Sequence, residues 1–464
     1  MQSYCTIFVL QYLFYTNKMP SFAIRNAIVV NDHQQFEANI LVKNGLIYNL
    51  DSLSKLRIAD VTIDAKGRLL TPGCIDDQVH FREPGLTTKG SIASESLAAA
   101  AGGVTSYMEM PNTVPAATTI ELLEQKYAIA AQNSWVNYSF FLGASNQNLA
   151  EIMRADYAKI CGIKIFMGSS TGNLRVNDEA ALEEIFRNAP ALIATHCEDD
   201  DLIAQNLLKT QAIYGNNLQP EHHPKVRDAE ACFASSQKAM LLAKKHGSRL
   251  HILHISTKKE LALFDDVPLT AHKKITAEVC LHHLWFSEED YAERGNFIKW
   301  NPAIKSHTDR DALRKAILTH KIDVIASDHA PHTLAEKSMD YLQAPSGAPL
   351  VQHTWVAMLE LYKQGVLPSI ATIVEKMCHN PARLFGIKNR GFIEEGYFAD
   401  LVITDLNAPF VVSKQNILYQ CGWSPLEGVR MGAQVAYCFV NGALVWANGK
   451  KGVPQSGARL VFER

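Results

Sequence analysis

The sequence predicts an α/β fold: a (β/α)8 TIM-type barrel of parallel strands, with a small composite β-sandwich built from both chain ends. Three observations carry this. Five apolar runs each end on a residue able to bind a metal ion: Val79-His80, Ile163-Lys164, Ile193-Ala194-Thr195-His196, Leu250-His251-Ile252-Leu253-His254 and Val324-Ile325-Ala326-Ser327-Asp328. Strands whose carboxyl ends converge on one cluster of ligands produce that pattern. Strand-like and helix-like segments alternate from about residue 72 to about residue 385, which implies parallel strands joined by right-handed crossovers. The two ends beyond that stretch carry instead short β-branched runs interrupted by Asn-Gly, a strong hairpin signal.

The elements follow in chain order. Residues 1–21 are read as an N-terminal extension. Its apolar run at 4–15 is short, with no basic residue before it and no small-residue cleavage site after it, so a secretory signal is not expected. Met19-Pro20-Ser21-Phe22 then leads into strand-like sequence, so the first eighteen residues could be translated from an upstream start. Residues 22–71 hold Ala27-Ile28-Val29-Val30, Asn44-Gly45 and Val61-Thr62-Ile63, and residues 392–464 hold Leu401-Val402-Ile403-Thr404, Ala436-Tyr437-Cys438-Phe439-Val440 and Asn441-Gly442. Both are expected to form antiparallel strands that pair into one sandwich. Between them, residues 72–391 are read as the barrel. Its candidate strands are 73–81, 104–110, 136–142, 162–166, 191–196, 249–255, 274–279 and 323–327, with helical spacing between them at 91–101, 119–131, 178–187, 229–245 and 309–318.

Composition bounds the function. A length of 464 residues suits a large barrel with a smaller companion. With 47% hydrophobic residues, 20% charged residues and a net charge of -2, the chain reads as globular and not as a nucleic-acid binder. No transmembrane span, repeat or low-complexity stretch is visible. Nine scattered cysteines without a C-x-x-C pair suit free thiols in a reducing compartment, so a cytoplasmic address is expected.

The strand-end residues suggest the chemistry. Histidines and carboxylates can hold Zn²⁺ while leaving a position open for water, whose pKa then falls far enough to supply hydroxide near neutral pH. A lone histidine after an apolar run is more often a packed or hydrogen-bonded one. The balance reverses when several recur at the same end of successive strands, because burying them together is expensive unless something satisfies them. His196 and His254 stand out, each ending its run before a polar loop. Asp328, in Ala326-Ser327-Asp328-His329-Ala330-Pro331-His332, is the natural general base and later general acid. Its bland alternative is a helix N-cap.

Here the residues reach a family. Pro72-Gly73-Cys74-Ile75-Asp76-Asp77-Gln78-Val79-His80-Phe81-Arg82-Glu83-Pro84-Gly85 closely resembles the first signature of the dihydroorotases, within the amidohydrolase superfamily, and the Ala326–His332 segment with Lys337 resembles the second. Met110-Pro111-Asn112-Thr113, Gly162-Ile163-Lys164-Ile165-Phe166, Leu253-His254-Ile255-Ser256-Thr257, Thr276-Ala277-Glu278-Val279-Cys280-Leu281-His282-His283-Leu284 and Asn301-Pro302 match between them. Ordered matches of this kind are far more specific than a single motif.

The resemblance implies zinc, one or two ions per subunit, in the barrel mouth, and reversible cyclisation of N-carbamoyl-L-aspartate to dihydroorotate in pyrimidine synthesis. It implies His80, His196, His254 and Asp328 as metal ligands, with Lys164 carrying a CO2-derived carbamate, and a metal-activated hydroxide attacking the ring amide with Asp328 as base and acid. A snorkelling lysine is the alternative at Lys164. Arg82 would grip a substrate carboxylate through paired hydrogen bonds, with Asn112, Asn301 and His332 completing the contacts. The partner expected is thus a small molecule carrying a carboxylate, with no nucleic acid or membrane, and sandwich edges or barrel helices could form a homodimer interface. A loop at 343–349 could close over the substrate. One departure matters: the family usually has histidine where this chain has Gln78, a weak zinc ligand. The alternatives are therefore an allantoinase- or hydantoinase-type cyclic amidase, or an inactive barrel that binds another pyrimidine-pathway enzyme such as aspartate transcarbamoylase.

Overall fold

Alternation with period two builds the wall of the barrel. In β10 (Ile163–Phe166), Ile163 and Ile165 enter the core shared with the surrounding helices, which turns Lys164 to the other side of the strand. A computed structural model describes residues 19–50, 59–168, 174–270 and 272–464. The apolar run at 4–15 and the eighteen-residue extension lie outside the described residues.

Eight strand positions close the barrel, all parallel. They are β6 (Cys74–Val79), β7 (Val104–Glu109), a third strand written as β8 (Asn137–Phe140) and β9 (Leu142–Gly143), then β10, β11 (Ile193–His196), β12 (Leu250–Ile252), β13 (Ile275–Cys280) and β14 (Val324–Ala326). The third strand pairs with β7 through its first half and with β10 through its second. The ring shuts where the His80 N–H donates to the His329 carbonyl at 2.7 Å, beside a parallel bridge from Val79 to His329. The helices expected from spacing begin at side-chain caps: Ser91, Thr119, Asp178, Asp228 and Ser306 each accept a backbone N–H of the first turn. Among the described residues, no helix is long and apolar enough to cross a membrane.

The chain ends form one nine-stranded sheet. It holds β1 (Phe22–Asn31), β2 (Gln34–Lys43), β3 (Leu46–Leu50), β4 (Val61–Asp64), β5 (Leu69–Pro72), β15 (Leu401–Asp405), β18 (Gln434–Val440), β19 (Ala443–Ala447) and β20 (Lys450–Lys451). A bulge after Ile24, with Asn26 at φ 53°, forks the sheet: the first half of β1 pairs with β4 and the second half with β5. The two layers so formed enclose a core that includes Phe22, Ile40, Leu401 and Phe439. Both Asn-Gly pairs make two-residue hairpin turns with positive φ at each residue, as type I′ geometry requires. The turns also touch: a Cβ at Gly442 would lie 2.6 Å from the Gly45 Cα, so only glycine fits.

Part of the segment 392–464 departs from the sandwich. The last residues run along the barrel, where the Leu460 N–H donates to the Tyr138 carbonyl and Arg464 donates to the carbonyls of Tyr157, Phe385, Ile160 and Cys161. Leu460 and Phe462 fill the barrel core cluster, an apolar demand the sandwich does not make of them. Trp423 reaches the barrel mouth, its indole N–H donating to the His332 carbonyl at 2.8 Å.

Candidate active site

The carboxyl ends of the strands open into a cavity of about 680 Å³. Gln78, His80 and Arg82 reach it from the end of β6, Asn112 from the end of β7, and Lys164 and His196 from β10 and β11. His254, Asn301, Asp328 and His332 complete the set, so every site residue expected from the sequence lines one space.

Three of these placements need unusual backbone. Leu250 and Ile252 face the helices, so alternation would aim His254 the same way. Its φ of 41° turns the ring back over the barrel mouth. Asp328 has φ 45° and Arg82 φ 71°. Such conformations cost a non-glycine residue on the order of 1–3 kcal/mol each and gather where function demands them. Asp328 is also no helix N-cap, since the helix that follows starts at Leu334 and is capped by Thr333.

The donors fall into two pairs. On one side, His196 Nδ1 and His254 Nε2 approach to 2.9 Å. The other nitrogen of His196 lies 2.9 Å from Glu198, which also takes the Arg227 guanidinium at 2.6 Å. Burial alone would raise the Glu198 carboxyl, but Arg227 and His196 outweigh it and hold it down at about 2. On the other side, His80 Nε2 lies 3.2 Å from Asp328 Oδ1, and its Nδ1 lies 2.7 Å from Asn112 Oδ1. Gln78 Nε2 donates to the same Asp328 oxygen at 3.1 Å.

Burial disfavours the charged form of His254 and His80. It pushes His254 well below the usual histidine value, with His196 adding to the effect, and lowers His80 against the pull of Asp328. Neutral imidazoles are what a metal requires as ligands. Lys164 is 1% exposed and sits over the Phe166 ring at 4.6 Å, so it does not snorkel to water. Burial brings its ammonium down to about 8, against Glu278 and Asp328. Two imidazole nitrogens converging at 2.9 Å, the Asp328 carboxylate and a buried lysine with a lowered pKa make a side-chain set that suits a divalent metal ion.

At the mouth, Arg82 donates through Nε to the Pro331 carbonyl at 2.9 Å. Burial, with Arg82 and Lys89 beside it, holds His332 well below its usual value, so the ring is neutral. Its Nδ1 faces the Lys89 ammonium at 3.2 Å, and its Nε2 faces both the Arg82 guanidinium at 3.1 Å and the Ser346 carbonyl at 3.0 Å. Ser346 in turn donates to Asn301 Oδ1.

Several contributors carried no sequence signal of their own. The Glu198–Arg227 support spans 29 positions. Two buried lysines hold the loop expected to move: Lys337 donates to the carbonyls of Pro345 and Gly347, and Lys299 to those of Tyr341 and Ala344. Below His254 lie Asp77, His251 and Glu278, all fully buried, with ligand atoms within 4.8 Å of one another. This triplet lies outside the cavity, and Glu278 already accepts the His254 N–H and the Cys280 thiol. Burial, with Asp77 alongside, pushes the Glu278 carboxyl well above its usual range. A neutral acid next to Asp77 accounts for two carboxyl groups so close together.

Comparison with known proteins gives the family. A family model described as Amidohydrolase family matches residues 69–445. This chain belongs to the amidohydrolase family. Among its curated relatives, a protein from Methanosarcina acetivorans named dihydroorotase is 33% identical over 441 residues, covering 92% of this chain and 92% of its own length. One of the same name from Pyrococcus horikoshii is 32% identical over 421 residues, 89% of this chain and 90% of its own. Among solved structures, an L-hydantoinase (dihydropyrimidinase) from Arthrobacter aurescens superposes with TM-score 0.89 at 27% identity, covering 96% of this chain and all of the other. This amidohydrolase is accordingly a hydrolase of cyclic amides, on the TIM-type barrel with a sheet-rich companion that its sequence predicts.

Proposed function

We propose that this amidohydrolase is a zinc-dependent dihydroorotase, interconverting N-carbamoyl-L-aspartate and dihydroorotate in pyrimidine synthesis. The observation that carries the reading is Arg82. A buried guanidinium facing the cavity, with the neutral His332 beside it, suits a substrate carboxylate that hydantoin and allantoin lack.

His196, His254 and Lys164 as its carbamate are the ligands assigned to zinc, with Asp328 and His80 opposite them. Bound there, zinc supplies a Lewis acid for the ring carbonyl and for the attacking water. Arg82, Asn112, Asn301 and His332 orient the ring by its carboxylate and amide groups. In the hydrolytic direction Asp328 takes a proton from the attacking water and returns it to the ring nitrogen, which leaves as the ureido amine as the ring C–N bond breaks. Cyclisation runs the same proton transfers in reverse and releases water. Eight free cysteines among the described residues, seven of them buried, suit a reducing compartment, and the cytoplasm is the assigned location.

The hydantoinase reading has one observation in its favour, the superposition on an L-hydantoinase. The test is the loss of dihydroorotate ultraviolet absorbance with zinc- and bicarbonate-supplied protein, against an Asp328→Ala control. An enzyme-dependent rate absent from the control is expected. No rate with folded protein, or faster turnover of a neutral hydantoin, overturns the proposal.

A further inference from the structure

We infer that Gln78 is a positioning residue for Asp328, and that its amide restricts this chain to one metal ion, held by Lys164, His196 and His254. This rests on the zinc-dependent reading above and goes beyond it, because it assigns a role to the position where the family signature is broken.

The orientation of the Gln78 amide follows from its neighbour Asp328. Asp328 Oδ1 lies 3.1 Å from one end, and a carboxylate oxygen only accepts, so that end is the NH2 group. The other end faces the Cys280 sulfur at 3.8 Å. The Cys280 thiol proton goes to Glu278 at 3.2 Å, so the contact with Asp328 alone sets the orientation. Gln78 is buried, 2% exposed, where it meets Asp328.

That orientation disfavours a cation at the His80–Asp328 pair. An ion bridging His80 Nε2 and Asp328 Oδ1 would face the N–H hydrogens of Gln78, which already occupy the carboxylate oxygen it needs. Turning the amide over would give a neutral oxygen, a weak zinc ligand, and would give up the bond to Asp328. The opposite pair meets no such obstacle. His196 Nδ1 and His254 Nε2 converge at 2.9 Å, His196 is held from behind by Glu198, and Lys164 lies on the adjacent strand in register with Ala194. Gln78 therefore takes over from a metal ligand the task of holding the Asp328 carboxylate in line.

The test is zinc per subunit, measured by elemental mass spectrometry on the full-length protein dialysed from excess zinc, beside steady-state kinetics on dihydroorotate. Native protein is expected to hold one zinc, and Gln78→His two. Gln78→Leu is expected to keep one zinc and to lose about 10- to 100-fold in kcat, with KM within about threefold, as for other outer-sphere supports. Two zinc ions in native protein, or one in folded Gln78→His, overturns the one-metal assignment and leaves the dihydroorotase reading standing. Unchanged kcat in Gln78→Leu overturns the positioning role. Zinc-free native protein that still turns over dihydroorotate overturns both this inference and the zinc dependence. The native stoichiometry decides even where a variant fails to fold.

Discussion

The guanidinium of Arg82 lies 3.1 Å from Nε2 of His332, and both are at least nine-tenths buried at the cavity mouth. Two such groups tolerate this proximity because the imidazole is neutral: Lys89 faces its other nitrogen, and burial disfavours its charged form. A carboxylate entering here gains charge-assisted hydrogen bonds from Arg82 and loses them if the guanidinium is removed. Arg82→Met is expected to raise KM for dihydroorotate by about 10- to 100-fold, from the 1.5–3 kcal/mol typical of hydrogen bonds to charged groups. Arg82→Lys recovers part of the loss, since a point charge cannot reproduce the fork. Any rate on an uncharged hydantoin should change by less than about threefold, because that ring has no carboxylate to read. Steady-state kinetics on the two substrates checks the contrast.

Lys337 turns a candidate lid into a fixed wall. Its ammonium, 1% exposed, donates to the Pro345 and Gly347 carbonyls at 2.9 and 2.8 Å, and the Gly347 N–H bonds back to the Lys299 carbonyl. Lys337→Met would take this donor from the buried Gly347 carbonyl and the part-buried Pro345 carbonyl, at a cost of about 1–3 kcal/mol. The loss should appear locally, as faster amide exchange across residues 341–347. Because Ser346 belongs to this loop and contacts both His332 and Asn301, KM for dihydroorotate should rise by about tenfold or more. Exchange spread evenly over the barrel would show that the lysine serves global stability instead.

Glu198 gives a pH dependence of known sign. Its carboxyl is held at about 2 against an ordinary 4.5 because Arg227 and His196 outweigh the burial that would raise it. A depressed carboxyl contributes stability that is fully present above 4.5 and is lost as the pH falls through about 2. The shift corresponds to about 3 kcal/mol. Glu198→Gln should therefore be less stable than the parent above pH 4.5, with the gap closing toward pH 2. Urea unfolding of metal-free protein over that range measures it.

How much of this was legible in the sequence depends on the distance over which each feature is encoded. The five ligand-terminated runs and the Asn-Gly turns are local, since a strand end and a two-residue hairpin are written in a handful of consecutive residues. Even there the reading had limits. His254 counts as a strand-end histidine in the sequence, but only its left-handed φ aims it inward, and alternation alone would have turned it away. The supports of the site are non-local: Glu198 with Arg227, Lys337 with Gly347, and Trp423 with His332 join segments between 10 and 91 positions apart. Nothing near either partner marks it. The loop at 343–349 is a candidate lid in the sequence, and the lysines that hold its carbonyls, Lys299 and Lys337, lie outside that window.

Asp76 should shift stability in the opposite direction from Glu198. It lies in β6, 4% exposed, and burial pushes its carboxyl up to about 7 even though Oδ1 accepts the backbone N–H groups of Ser327 and Gln78. Nearby Asp77 adds to the rise. A carboxyl raised on folding contributes stability that is fully present below its unfolded value of 3.8 and is lost as the pH climbs through about 7. The fold should thus give up roughly 2–4 kcal/mol between about pH 4 and pH 7 at this one position. Asp76→Asn removes the charge and keeps an oxygen for the Ser327 and Gln78 N–H groups. The variant should match the parent within about 1 kcal/mol at pH 4, where both are uncharged, and exceed it at pH 8. Urea unfolding at the two pH values checks this, and a variant less stable than the parent at both would mean that the ionised carboxylate is what those N–H groups require.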